Sequence, residues 1–140
     1  MTDPADAADP GPAPFAHVAL IGLGLIASSM AHAIRAVWPA VRITGYARSP
    51  GTREEARAVG FCDVVSDTAA EAVAGADCVV LAVPVGAMGE VAAEIAPHLA
   101  PGSVLTDVGS VKQAVIEQIR PHVPQGVQFI PGHPLAGTER

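Results

Sequence analysis

The chain has 140 residues and a formal charge of −6; 50% of its residues are apolar and only 4% aromatic. That length holds a single domain whose core must be built from Ala, Val, Leu and Ile. The acidic balance, with no basic stripe, excludes nucleic acid as a partner, and no apolar run approaches the roughly 20 residues that span a bilayer.

Residues 1–14 are acidic and proline-rich, the opposite of a signal peptide, and are expected to form a solvated, disordered tail ahead of a domain at 15–140. Phe15-Ala-His-Val-Ala-Leu-Ile21 then reads as a strand that opens into Gly22-Leu-Gly-Leu-Ile-Ala27. In the helix that follows, Leu25, Ile26, Met30, Ala33, Ile34 and Val37 recur at helical spacing, and Trp38-Pro39 ends it. Residues 41–47 form a second strand. Ser49-Pro-Gly-Thr52 is turn chemistry leading to a short charged helix over 53–59, closed by Gly60.

Residues 62–65 predict a brief third strand, and Asp67 or Thr68 caps a helix running to about Ala74. Cys78-Val-Val-Leu-Ala-Val83 is the most hydrophobic run and reads as a strand covered on both faces. Pro84 breaks it, and a helix over 87–96, a strand over 103–106, a helix over 111–119 and a strand over 127–130 complete the series. Strands alternating with helices in this way imply right-handed crossovers and a parallel sheet. The expected class is α/β, a Rossmann-type doubly wound parallel sheet of six strands.

Cys62 and Cys78 have no metal or redox spacing and open two strands that the usual order keeps apart. They are expected to be small buried hydrophobes in a reducing cytoplasm, with no disulfide.

The Gly22–x–Gly24–x–x–Ala27 pattern, placed after a strand and opening a helix, is the dinucleotide-binding turn. Its glycines let backbone approach a pyrophosphate, the first amides of the helix (Leu25, Ile26, Ala27) face it, and Ala27 stands where helix packs closely on strand. At the end of the second strand an acid usually holds a ribose 2′-hydroxyl. Here Ala47 occupies that region and is followed by Arg48 and Ser49. Arg48 is either a solvated arginine at a turn or a partner for a 2′-phosphate, with which a guanidinium pairs, so the expected cofactor is NAD(P), with NADP favoured over NAD on Arg48. Val83 and Pro84, after the fourth strand, fall at the crevice where the strand order reverses, either lining the cofactor or simply starting a helix.

Thr106-Asp-Val-Gly-Ser-Val-Lys112 follows the fifth strand, and its Ser110 is either a helix cap or a ligand contact. Of the five histidines, His17, His32, His98 and His122 read as surface or packing residues. His133 stands in a loop past the sixth strand, where open α/β sheets carry ligand chemistry, and is a turn residue or a general base.

Val18-Ala-Leu-Ile-Gly-Leu-Gly-Leu-Ile26, Thr106-Asp-Val-Gly-Ser-Val-Lys112 and Gly132-His-Pro-Leu-Ala-Gly-Thr-Glu139 together resemble the amino-terminal half of the prephenate/arogenate dehydrogenases of tyrosine biosynthesis. The resemblance covers residues 18–139 and implies an NAD(P)-dependent oxidative decarboxylation, of prephenate to 4-hydroxyphenylpyruvate or of arogenate to tyrosine. It assigns His133 as the base that takes the ring hydroxyl proton and Ser110 as its orienting partner. Thr138 and Glu139 fall beside the substrate side chain. The family continues into an all-helical domain that forms a homodimer. That domain has no counterpart in this sequence, so this chain is expected to be the cofactor-binding half of a cytoplasmic enzyme. The competing expectations are a truncated nucleotide-binding fragment without activity and another dehydrogenase of the β-hydroxyacid or imine reductase type.

Overall fold

Four consecutive apolar residues, Cys78–Leu81, are buried on both sides, as a central strand of a covered parallel sheet requires. The structure, a computed structural model, describes residues 11–109 and 111–132. In chain order the regular elements are β1 (His17–Ile21), α1 (Leu25–Val37), β2 (Arg42–Tyr46), α2 (Pro50–Val59), β3 (Val64–Val65), α3 (Ala69–Val73), β4 (Cys78–Leu81), α4 (Met88–Ile95), β5 (Val104–Asp107), α5 (Lys112–Ile119) and β6 (Gln128–Phe129). Single 3-10 turns flank α4 at Val85–Ala87 and Ala96–His98, and another, Arg120–His122, follows α5.

The six strands pair in parallel in the order β3-β2-β1-β4-β5-β6. The order reverses between β1 and β4, so their carboxyl ends open a crevice. Alternation along the strands builds a core on each face. Ala19, Ile21, Val79, Leu81 and Leu105 pack against α3, α4 and α5. Val18, Leu20, Ile43 and Val80 face the other way, onto Ala27 and Ala31 of α1 and Ala56 of α2. Leu20 is fully buried, and cutting it back to Ala would cost about 2–5 kcal/mol.

Several boundaries differ from the sequence-based expectation for local reasons. Helix α2 starts at Pro50, three residues early, because Ser49 is its N-cap and accepts the Thr52 amide while Pro50 fits the first turn. Gly60 ends it with φ +83°. Thr68, and not Asp67, caps α3 by accepting the Glu71 amide at 3.1 Å; Asp67 instead pairs with Arg57 at 2.7 Å. Strand β4 stops at Leu81, two residues short of Val83, and Cys62 precedes β3 instead of opening it. Both cysteines are free, and β2 and β1 stand between β3 and β4.

The largest departure concerns α1. Leu25 and Ile26 are 84% and 51% exposed, and Ala33 and Val37 are exposed as well. The helix buries Ala27 and Ala31, with Met30 and Ile34 at the margin of the core. Methyl-sized contacts let α1 lie close on the sheet, where larger side chains would hold it away.

Candidate functional site

The crevice is a groove of about 460 Å³ at the carboxyl ends of β1, β2 and β4. Of the residues singled out from sequence, it gathers Gly22, Gly24, Ala47, Arg48, Ser49, Val83 and Pro84 along its walls. Gly22 is required by its position. Its φ is +101°, its N–H donates to the Tyr46 carbonyl at 2.7 Å, and a Cβ there would stand 2.5 Å from the Ala82 carbonyl oxygen. The turn is thereby wedged between the ends of β2 and β4.

Gly24 differs: a Cβ on it would meet nothing within 4 Å, because it faces the open groove. It is the N-cap of α1, where no side chain caps the helix and no acid occupies the first turn. The leading amides of α1 are left to an external acceptor, with the positive end of the helix dipole behind them. Leu25 and Ile26 contribute those amides with exposed side chains, whereas the Ala27 side chain is fully buried and serves close packing. These features fit a pyrophosphate.

At the end of β2, Ala47 is buried, and no acid occupies its place. Arg48 reaches instead to Glu90 of α4, with its guanidinium 2.9 Å from the carboxylate. The hydrogen bond to Glu90 and the charge of that residue hold the Arg48 guanidinium above its ordinary pKa. Arg53, which had no motif to announce it, donates to the carbonyls of Ala47 at 2.7 Å and Arg48 at 3.1 Å. It also lies 5.6 Å from the centre of the Tyr46 ring. It fixes the loop that carries Arg48.

On the other side of the crevice, Asp107 closes β5 with a carboxylate that is fully buried. That carboxylate accepts the Gly109 amide at 2.7 Å, the Lys112 ammonium at 2.6 Å and the Gly132 amide at 3.1 Å. Three donors on two carboxylate oxygens in a buried setting fix both loops. A Cβ on Gly132 would collide with the Asp107 carbonyl. The N-cap of α5 is Val111, which offers no capping side chain. Ser110, His133, Thr138 and Glu139 lie outside the described residues; Gly109 and Gly132, which precede Ser110 and His133 in the chain, are the two glycines that Asp107 holds.

The family model for the prephenate dehydrogenase nucleotide-binding domain matches residues 30–140. The chain belongs to the prephenate dehydrogenase family. Within that family the nucleotide-binding domain is similar to the cyclohexadienyl dehydrogenase of Zymomonas mobilis, at 47% identity over 125 residues, which cover 89% of this chain and 42% of the relative. It also resembles the A. aeolicus prephenate dehydrogenase solved with hydroxyphenyl propionate and NAD+, with a TM-score of 0.78 and 26% identity over 93% of this chain and 45% of that one. The Synechocystis arogenate dehydrogenase follows at a TM-score of 0.74 and 30% identity, covering 89% and 42% of the two chains. The chain therefore spans less than half the length of these prephenate dehydrogenase relatives. The family match begins inside α1, so the glycine turn rests on its own geometry.

Proposed function

We propose that this domain binds NAD(P)+ across the β1/β4 crevice and, in the whole enzyme, serves the oxidative decarboxylation of prephenate or arogenate. The observation that carries the reading is the Gly22–Gly24 turn: one glycine is forced by the Ala82 carbonyl, the other is open toward the uncapped α1. A nicotinamide bound there supplies the hydride acceptor.

In this reading the amides that open α1 hold the pyrophosphate. Val83 and Pro84 line the far wall of the groove, and Arg48 stands at the ribose 2′ position. With no acid at Ala47, Arg48 is the cation that a 2′-phosphate would meet, so the groove admits NADP+ as well as NAD+. Asp107 holds the Gly109 and Gly132 backbones, the chain neighbours of Ser110 and His133, which act as a pair in this reading. His133 takes the proton of the ring hydroxyl while Ser110 orients that hydroxyl, and Thr138 and Glu139 border the substrate side chain. Aromatisation drives the chemical step, which leaves the protein to position the substrate and accept a proton.

The whole enzyme is read as a cytoplasmic homodimer. Among the described residues no helix is long and apolar enough to cross a membrane. Calorimetric titration of the 140-residue chain with NAD+ and NADP+ tests the cofactor reading. Saturable one-to-one binding is expected; absence of binding by both overturns it.

A further inference from the structure

Between Arg48 and Glu90, which are 42 residues apart, an ion pair joins the β2–α2 loop to α4 beside the groove. We propose that Glu90 is a specificity-determining residue: it supplies from α4 the carboxylate that the end of β2 lacks, and it restrains NADP+ binding by occupying Arg48. The inference rests on the dinucleotide reading of the groove and concerns its adenosine end.

Four observations support it. Ala47 has no carboxylate to offer, so discrimination at the ribose 2′ position falls to whatever reaches the loop from elsewhere. Arg48 is the cation there, and its guanidinium is already held at 2.9 Å by Glu90. Glu94, four residues along the same helix, lines the groove and adds a second negative charge. Arg53, whose guanidinium also reaches this loop, is committed to the Ala47 and Arg48 carbonyls and to Asp67 at 3.6 Å.

A 2′-phosphate entering this corner must displace Glu90 from Arg48 and then sit near that carboxylate. A 2′-hydroxyl has no such conflict, since it can donate to Glu90 while accepting from Arg48. The side chains of Arg48 and Glu90 are 65% and 71% exposed, so the pair is screened and its exchange is modest in size. Removing the carboxylate therefore shifts selectivity by about tenfold and not by many orders of magnitude.

The test is calorimetric titration of the 140-residue chain with NAD+ and with NADP+ in the parent, Glu90→Gln, Arg48→Ala and the double variant. Glu90→Gln is expected to raise NADP+ affinity about tenfold and change NAD+ affinity less than about twofold. In the Arg48→Ala background the same substitution should change the ratio less than in the parent, because only the direct repulsion between the carboxylate and the 2′-phosphate is then relieved. An equal change for both cofactors, or none, overturns the role of Glu90 and leaves the groove as the cofactor site. If the parent binds neither cofactor, both this inference and the cofactor reading fail.

Discussion

Asp107 Oδ1 accepts the backbone N–H of Gly132 at 3.1 Å, across 25 residues of chain. The other oxygen of the same carboxylate takes the Gly109 amide and the Lys112 ammonium. One buried group thus ties the start of α5 to the end of β6. Asp107→Ala strands a lysine that is itself mostly buried and frees two backbone donors. A loss of about 3–5 kcal/mol in urea unfolding is expected, with Lys112→Met costing less. Equal, small losses for the two variants would show that the carboxylate is not the organising group.

The two glycines of the turn should separate folding from binding. Gly22→Ala meets the Ala82 carbonyl at 2.5 Å with φ at +101°, so the left-handed backbone alone costs about 1–3 kcal/mol and the overlap adds to it. Gly24→Ala meets no protein atom within 4 Å and should leave the thermal midpoint nearly unchanged. It should still weaken NAD+ and NADP+ by about tenfold or more, because its methyl enters the space where the pyrophosphate approaches α1. Thermal unfolding and calorimetry on both variants check this pattern.

The alternation of strands and helices and the glycine turn were legible because each is written locally, in runs of apolar residues and in turn chemistry, whereas the strand order followed only from the fold class that they imply. Leu25 and Ile26 misled for a physical reason: their spacing fits a buried stripe, yet α1 approaches the sheet through Ala27 and Ala31. Small residues carry little weight in a hydrophobic pattern even where they make the closest contact. Glu90 was invisible from sequence because nothing near it in the chain points to Arg48. Thr44 was equally silent: a hydroxyl buried in β2, it donates to the Ala72 carbonyl at 2.7 Å and meets His17 Nε2 at 2.9 Å.

In the whole enzyme, His133→Asn should reduce turnover by orders of magnitude with cofactor affinity nearly unchanged, since asparagine keeps hydrogen bonding but cannot accept the proton. Steady-state kinetics with calorimetry decide it. Turnover like that of the parent would end the assignment of His133 as the base.

Acid should destabilise the domain in two steps. Burial, aided by the Arg42 charge, pushes the His17 imidazole below its ordinary value against a backbone contact with Gly75. A folded pKa below the unfolded one, about 6.5, means that this stability is present above that pH and is lost as pH falls through the folded value. Asp77 follows at lower pH. Burial pushes its carboxyl up, but the amides of Ala16 and His17, each at 2.9 Å, outweigh that and hold it below the usual carboxylate range. Its contribution is present above about pH 3.9 and disappears as pH drops through the folded value. Urea unfolding of His17→Gln should show a flatter dependence between pH 7 and 5, whereas Asp77→Asn should flatten only the limb below pH 4.

The outermost strands, β3 and β6, are each two residues long. A sheet with margins this narrow gives an incoming strand almost no ladder to extend. Its water-averse centre, β1 and β4, is therefore shielded from edge-to-edge stacking with other copies of the chain by brevity at the rim, and on the β3 side also by Arg57, whose guanidinium donates to the Val65 carbonyl at 3.0 Å.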